Sequence, residues 1–257
     1  MNIKIPKTFA GKPIKGAIKR VLEENKEKNP EKIVQPIKTN VNIHSIDDYW
    51  RIEGVNYKGK IKTINLAQQL LPNMTQDKHA EYREQAISKG EFYTGDMPLY
   101  HAVFTALFNQ KDKPESEQAR QFIKKSMREK WLMTLTRIAY QPRGKDKIIH
   151  NYNTKDEYSL EEDIIGEDRF IQNEDRFTLK ALLGTDNIQE IKDIYNWING
   201  TDTYIWRINS KPNKVDERIT RFDAGSAGAY LDCDRYPDDG DPSLGVCVMR
   251  EAHSQKN

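Results

Sequence analysis

Two spacings of apolar residues recur along this chain, and each predicts a different element. Val41-Asn-Ile-His-Ser-Ile46 alternates apolar and polar, the period of a half-buried strand. Tyr57 to Ile64 predicts a second strand with Gly59 at a turn or bulge. The middle switches to helical spacing. Thr75 is placed to cap a helix running to about Lys89 and closed by Gly90. Met97 to Phe108 puts Leu99, Val103, Ala106 and Leu107 on one buried stripe. Pro114 opens a third helix, whose Glu115-Ser-Glu117 suits the positive end of the helix dipole. Trp131 to Tyr140 is dense in apolar residues and reads as core packing. Residues 142–178 read as polar loops with short turns. Asp186 is expected to cap a helix over Asn187 to Ile198, stopped by Asn199-Gly200, and Tyr204 to Ile208 returns to strand composition.

Helices in the middle with strands at both ends predict an α+β domain over residues 41–257, in which strands far apart in sequence pair. Residues 1–40 read as a basic arm around one short helix, Ile14 to Glu24, punctuated by Pro6, Pro13, Pro30 and Pro36. No repeat or sharp linker interrupts the rest.

The tail is unusual. In Phe222 to Ser226, Phe222, Ala224 and Ser226 share one face, with Asp223, Gly225 and Ala227 on the other. After Gly228 the parity shifts by one, as at a bulge or tight bend. Ala229, Leu231 and Cys233 become the apolar set, alternating with Tyr230, Asp232, Asp234 and Tyr236. Leu244, Val246 and Val248 then resume a buried face. Asp and Gly are poor strand formers, so the backbone must be held by the apolar alternate set and by long-range packing. The expectation is a rigid scaffold presenting side chains that the fold does not need.

Composition narrows the choices. Hydrophobic content of 37% and a mean hydropathy of −0.85 place the chain at the polar end of globular proteins. No apolar run approaches the length of a membrane span, and no apolar stretch follows the basic residues at the N-terminus, so neither a span nor a secretory signal is expected. Net charge is only +2 but uneven: residues 1–38 hold ten Lys/Arg against four Glu, and 223–241 hold six Asp against one Arg. The arm and the Lys124, Lys125, Arg128 and Lys130 cluster offer a nucleic-acid-binding alternative, although interleaved Glu residues read more simply as a solvated helix face. Cys233 and Cys247 lack metal-site spacing and read as buried thiols, and the five histidines are scattered, so no cofactor or metal is expected. Calcium at Asp232-x-Asp234-x-Tyr236 is a rival that lacks the glycine and terminal glutamate of an EF-hand, Pro237 standing in the way.

Codon chemistry adds a further trace. Of the 19 residues from Asp223 to Asp241, 14 are Asp, Gly, Ala or Tyr, each reachable from an Asn codon by changing only adenines. Asn occurs 17 times before Lys214 and not once over 214–256.

Trp206-Arg207, Asp216-Glu-Arg-Ile-Thr-Arg-Phe222, Ala224, Ser226, Ala229, Leu231, Cys233, Arg235, Pro237 and Ser243-Leu-Gly-Val246 together resemble the variable proteins of diversity-generating retroelements, in particular the archaeal and archaeal-virus branch. The resemblance covers about the last 55 residues, and Cys247 departs from the Arg that the pattern carries after Leu-Gly-Val. It implies a C-type-lectin-like fold of the formylglycine-generating-enzyme class, with helices around a small twisted antiparallel sheet and a loop-rich C-terminal binding face. It also implies a non-enzymatic, monomeric ligand-binding protein of the host-recognition type, diversified over about 214–250 by adenine-directed mutagenesis. The variable, ligand-binding residues would be Asp223, Gly225, Ala227, Tyr230, Asp232, Asp234, Tyr236, Asp238, Asp239, Gly240 and Asp241. The fixed scaffold would be Phe222, Ala224, Leu231, Cys233, Pro237, Leu244, Gly245 and Val246. Tyr230 and Tyr236 would anchor a protein or other surface ligand, and six aspartates would favour a cationic one. The expected location is a virion or cell surface, or else the cytoplasm. A formylglycine-generating-type enzyme using Cys233 and Cys247 is the alternative.

Overall fold

The computed structural model describes residues 40–249, together with two short strands, β1 (Thr8–Phe9) and β2 (Lys12–Pro13), which pair with each other. The chain divides after Lys38 into two units, and every other described element belongs to the second. The expected arm helix, Ile14 to Glu24, lies outside the described residues.

The second unit is α+β, with two sheets and, among the described residues, five helices. The five-stranded sheet is antiparallel, in the order β3 (Asn42–Ile46), β4 (Tyr49–Tyr57), β5 (Lys60–Met74), β14 (Asp241–Val248), β6 (Tyr93–Thr94). The seven-stranded sheet runs β10 (Arg169–Phe170), β11 (Thr203–Trp206), β13 (Ala229–Arg235), β12 (Asp216–Ala224), β7 (Leu132–Tyr140), β8 (Asp146–His150), β9 (Tyr158–Glu162), with only β11 and β13 parallel. The expectation of one small antiparallel sheet is therefore corrected to two sheets, one of them mixed. The expected pairing of distant strands is present: β14 zips onto β5, Leu244 opposite Leu70 and Val246 opposite Leu66. Gly245 is needed there, because an added Cβ would lie 3.1 Å from the Cβ atoms of both Ala67 and Phe92.

The helices follow their sequence signals closely. Thr75 caps α1 (Gln76–Lys89), and Gly90 ends it in the left-handed conformation. Asp96 caps α2 (Met97–Phe108) by accepting the Leu99 N–H. Nine of that helix's twelve residues are buried, so it is apolar nearly all round, as a helix between two layers must be. Its Tyr100 and Phe104 meet Phe222 of the larger sheet edge-on, at 6.1 and 5.6 Å between ring centroids, which ties the tail into the central core. Helix α3 (Pro114–Glu129) begins at its proline as expected.

Two expectations need correction, and one strand has no expectation behind it. Residues 142–178 are not merely loops: they contain β8, β9, β10 and the start of α4 (Arg176–Leu183), and buried polar residues such as Asp146, His150 and Thr178 mask the pattern. The strand Tyr49–Tyr57 has no clean sequence signature, because a register shift between Ile52 and Val55, at Gly54 with φ +80°, breaks its alternation. Helix α5 (Ile188–Asn199) is capped by Asn187, which accepts the Glu190 N–H, rather than by Asp186. Gly59 does sit in the β4–β5 turn, where Lys58 and Gly59 both have positive φ, the signature of a two-residue hairpin. Every residue of β7 is buried, in keeping with core packing of Leu132 to Tyr140, whereas Trp131 just before it is half exposed.

Candidate recognition face

The tail folds as a hairpin followed by a loop and the closing strand. Strands β12 and β13 pair with Phe222 opposite Leu231, Asp223 opposite Tyr230 and Arg221 opposite Asp232. The parity shift at Gly228 is the hairpin bend itself, closed by the Gly225 N–H donating to the Gly228 carbonyl at 2.9 Å. Cross-strand pairing then sorts the side chains. Phe222, Ala224, Leu231 and Cys233 are buried, and so are Leu244, Gly245 and Val246; Pro237 is half-buried. On the opposite face of the hairpin lie Arg221, Asp223, Tyr230, Asp232 and Asp234. Asp223, Gly225, Tyr230 and Asp234 are half-buried, while Ala227, Tyr236, Asp238, Asp239 and Gly240 are exposed.

Asp232 and Asp241 depart from the expectation. Both are buried, because Arg221, itself 1% exposed, grips both carboxylates: Nη2 donates to Asp232 Oδ2 at 3.1 Å and Nη1 to Asp241 Oδ2. Arg235 Nε adds a second bond to Asp232 Oδ2 at 2.9 Å. The Trp131 ring lies against both cations, 4.8 Å from the Arg221 guanidinium carbon and 5.4 Å from that of Arg235. Since Asp241 belongs to β14, this knot links the two sheets. Burial alone would raise the Asp232 carboxyl; hydrogen bonding from Asp234, the charge of Arg221 and the hydrogen bond from Arg235 outweigh it and hold the group below the ordinary carboxylate range.

The acidic field is correspondingly weaker than a count of aspartates suggests. Burial, with repulsion from Asp232, pushes Asp223 up to about 7, and burial with its bond to Asp232 pushes Asp234 up to about 6. Asp238 and Asp239, exposed on the loop beside Tyr236, are the aspartates of the tail left in open solvent. Arg218 stacks on the Tyr236 ring at 3.8 Å and donates to the Asp234 carbonyl at 3.0 Å.

Aromatic residues outside the tail extend the same face. Strand β11 pairs in parallel with β13, Tyr204 beside Tyr230 and Trp206 beside Asp232. Tyr204, Trp206 and Tyr230 form a triangle with ring centroids 5.1 to 6.1 Å apart, and Phe170 meets Tyr204 edge-on at 5.2 Å. Phe170 and Trp206 are exposed. On the other flank, a hollow of about 430 Å³ lies among Asn73, Arg128, Lys130, Trp131, Asp223 and Asp241. Asp223 Oδ1 is buried there without a hydrogen-bond partner, a polar atom available to a ligand. Arg128 and Lys130, from the basic cluster at the end of α3, therefore border this hollow; Arg128 also donates to the Asn199 carbonyl at 3.0 Å.

Sequence reasoning does not reach Trp131, Phe170, Tyr204, Trp206, Arg221 and Arg235 as site residues. The period-2 run Tyr204-Ile205-Trp206 carries a usable signal: Ile205 is core, so both aromatics must point outward.

The thiols are both free and buried, Cys233 in the larger sheet and Cys247 in the smaller. Burial pushes Cys233 well above the usual thiol range and raises Cys247 too, so neither is poised as a thiolate. Among the described residues no group of three or more His, Cys, Asp or Glu could hold a metal ion, and no helix is long and apolar enough to cross a membrane. Comparison with family models, curated proteins and solved structures gave no match to this chain.

Proposed function

We propose that this is a non-enzymatic ligand-binding protein on a C-type-lectin-like scaffold, recognising its partner through the outer face of β11, β13 and β12 and the loop at 236–240. The observation that carries the reading is the coincidence of two sets on one face. The tail residues with outward parity, Asp223, Tyr230 and Asp234, adjoin an aromatic strip from strands outside the tail, exposed Phe170 and Trp206 with half-buried Tyr204 between them. Aromatic side chains lose little rotamer freedom on binding and supply most of the contact energy of recognition surfaces. Gly225 and Gly228 leave room for Tyr230, since an added Cβ would lie 2.9 Å from its Oη and 2.7 Å from its ring respectively. The residues open to diversification are then Asp223, Gly225, Ala227, Tyr230, Asp234, Tyr236, Asp238, Asp239 and Gly240, with Asp232 and Asp241 retained as structural anchors.

The ligand that fits is a protein or other surface with an apolar or aromatic patch for the strip and a cationic group for Asp238 and Asp239. The enzyme alternative draws no support from two raised, buried thiols in different sheets.

The test is genetic and direct. The DNA encoding residues 214–250 should have a near-duplicate close by, differing mainly at adenines, next to a reverse-transcriptase gene. The differing codons should fall on the nine open positions and spare Asp232 and Asp241. Flanking DNA with no such copy would remove the diversification reading.

A further inference from the structure

A second cavity lies at the far end of β14. The strand leaves the recognition face at Asp241 and reaches Val248 roughly 23 Å away at the usual strand rise. There Cys247, Val248 and Met249 line a cavity of about 880 Å³ whose other walls come from the β4–β5 turn, the end of α1 and the loop before β9. That volume lies within the range of small-molecule sites.

Its chemistry is that of an amphipathic anion's pocket. Ile87, Leu99, Tyr93, Val248 and Cys247 supply apolar wall. The charged side chains lining it are Lys58, Lys62, Arg83 and Lys89 against Asp156 and Glu157. Arg83 is the built element. Its side chain is 7% exposed, and its guanidinium carbon lies 5.2 Å from the centre of the Tyr93 ring. Nη2 donates to Asp156 at 3.2 Å, a carboxylate 67% exposed, and Nη1 has only a 3.6 Å ion pair with Glu84. Nε and Nη1 have no hydrogen-bond partner at all. A nearly buried guanidinium with two unsatisfied donors is costly unless something accepts from it. Lys58, in the left-handed conformation, also lines the cavity, its ammonium 3.5 Å from the centre of the Tyr158 ring. Partial burial of the ammonium lowers its pKa, although the residue sits in an exposed turn. The nearby buried Asp96 is already occupied, accepting from Tyr57 Oη at 2.9 Å and from the Leu99 N–H.

We infer that this cavity binds a small organic anion with an apolar body, its charged head on Arg83 and Lys58 and its body against Ile87, Leu99 and Val248. The site is separate from the recognition face and does not rest on that reading.

Calorimetric titration of the full chain with octanoate, octyl phosphate and octan-1-ol tests it. At least one anion should bind more tightly than the alcohol, and preference between the two anions tells a carboxylate from a phosphate head. K58Q and R83Q should each weaken that anion by about tenfold or more while leaving octan-1-ol unchanged, the loss expected for one charge-assisted hydrogen bond. Cys247 is the one cysteine lining the cavity, so the bound anion should also slow its alkylation. If R83Q fails to fold, K58Q decides, since Lys58 lies in an exposed turn. The inference is overturned if octan-1-ol binds as tightly as both anions, if folded K58Q keeps full affinity for the preferred anion, or if neither anion binds.

Discussion

The aspartates of the tail include two extremes, and the contrast between them separates what holds the fold from what is free to change. Asp232 and Asp241 sit under Arg221 in the interior, while Asp238 and Asp239 stand in solvent a few residues away. In sequence the four look alike. What distinguishes them is a cation on the neighbouring strand: Arg221 shares the outward parity of Asp223, so on pairing it falls opposite Asp232 and within reach of β14. A charge becomes structural when its neutraliser is buried with it.

Breaking the knot should have the largest effect. R221A leaves two buried carboxylates without their cation and should cost about 3–5 kcal/mol in denaturant unfolding. A loss below about 1 kcal/mol would mean the pair is solvated. D232A should come next, at about 2–4 kcal/mol, because Arg221 keeps Asp241 and Arg235 can turn to solvent. Against these, D238A and D239A should change stability by no more than about 0.5 kcal/mol.

Acidity sharpens the same comparison. Asp223 and Asp234 have folded-state pKa values of about 7 and about 6, above the ordinary 3.8, so the folded chain holds protons that the unfolded chain has lost. Stability contributed by these groups is therefore present at acid pH and declines as pH rises through their folded values. Asp232 has the opposite sign: its contribution is present above about pH 4 and is lost as pH falls through its lowered value. D223N should flatten the fall in stability between about pH 4 and pH 7, by up to one proton's worth of slope. An unchanged pH profile in D223N would show that this carboxyl is not the one responsible.

A small effect on folding is also expected at the hairpin bend. An added Cβ at Gly225 would lie 2.9 Å from Tyr230 Oη, the movable end of a side chain. G225L should therefore displace Tyr230 and cost under about 1 kcal/mol, with the shift visible in tyrosine chemical shifts. A larger loss would mean that the Tyr230 ring is part of the scaffold.

Much of the architecture is legible in the sequence where local chemistry fixes it. Thr75 and Gly90, Pro114, and Gly200 each mark a helix end through a group that suits the backbone there. The alternate burial of Phe222, Ala224, Leu231 and Cys233 is legible for the same reason, since pleating forces a period of two. What stays hidden depends on partners distant in sequence. Asp232 looks like any outward residue until Arg221 is placed opposite it. Tyr204 and Trp206 join the face only because β11 pairs in parallel with β13, a neighbour that no local pattern names. Strands such as β8, with Asp146 and His150 buried in hydrogen bonds to Ile164 and Ala181, read as polar loop.

Substituting every position from Phe222 to Asp241 in turn, and scoring folding by resistance to proteolysis, probes the division most directly. Tolerance is expected at Gly225, Ala227, Tyr236, Asp238, Asp239 and Gly240, and sharp intolerance at Phe222, Leu231, Asp232, Cys233 and Asp241. Asp232 and Asp241 proving as replaceable as Asp238 and Asp239 would contradict it.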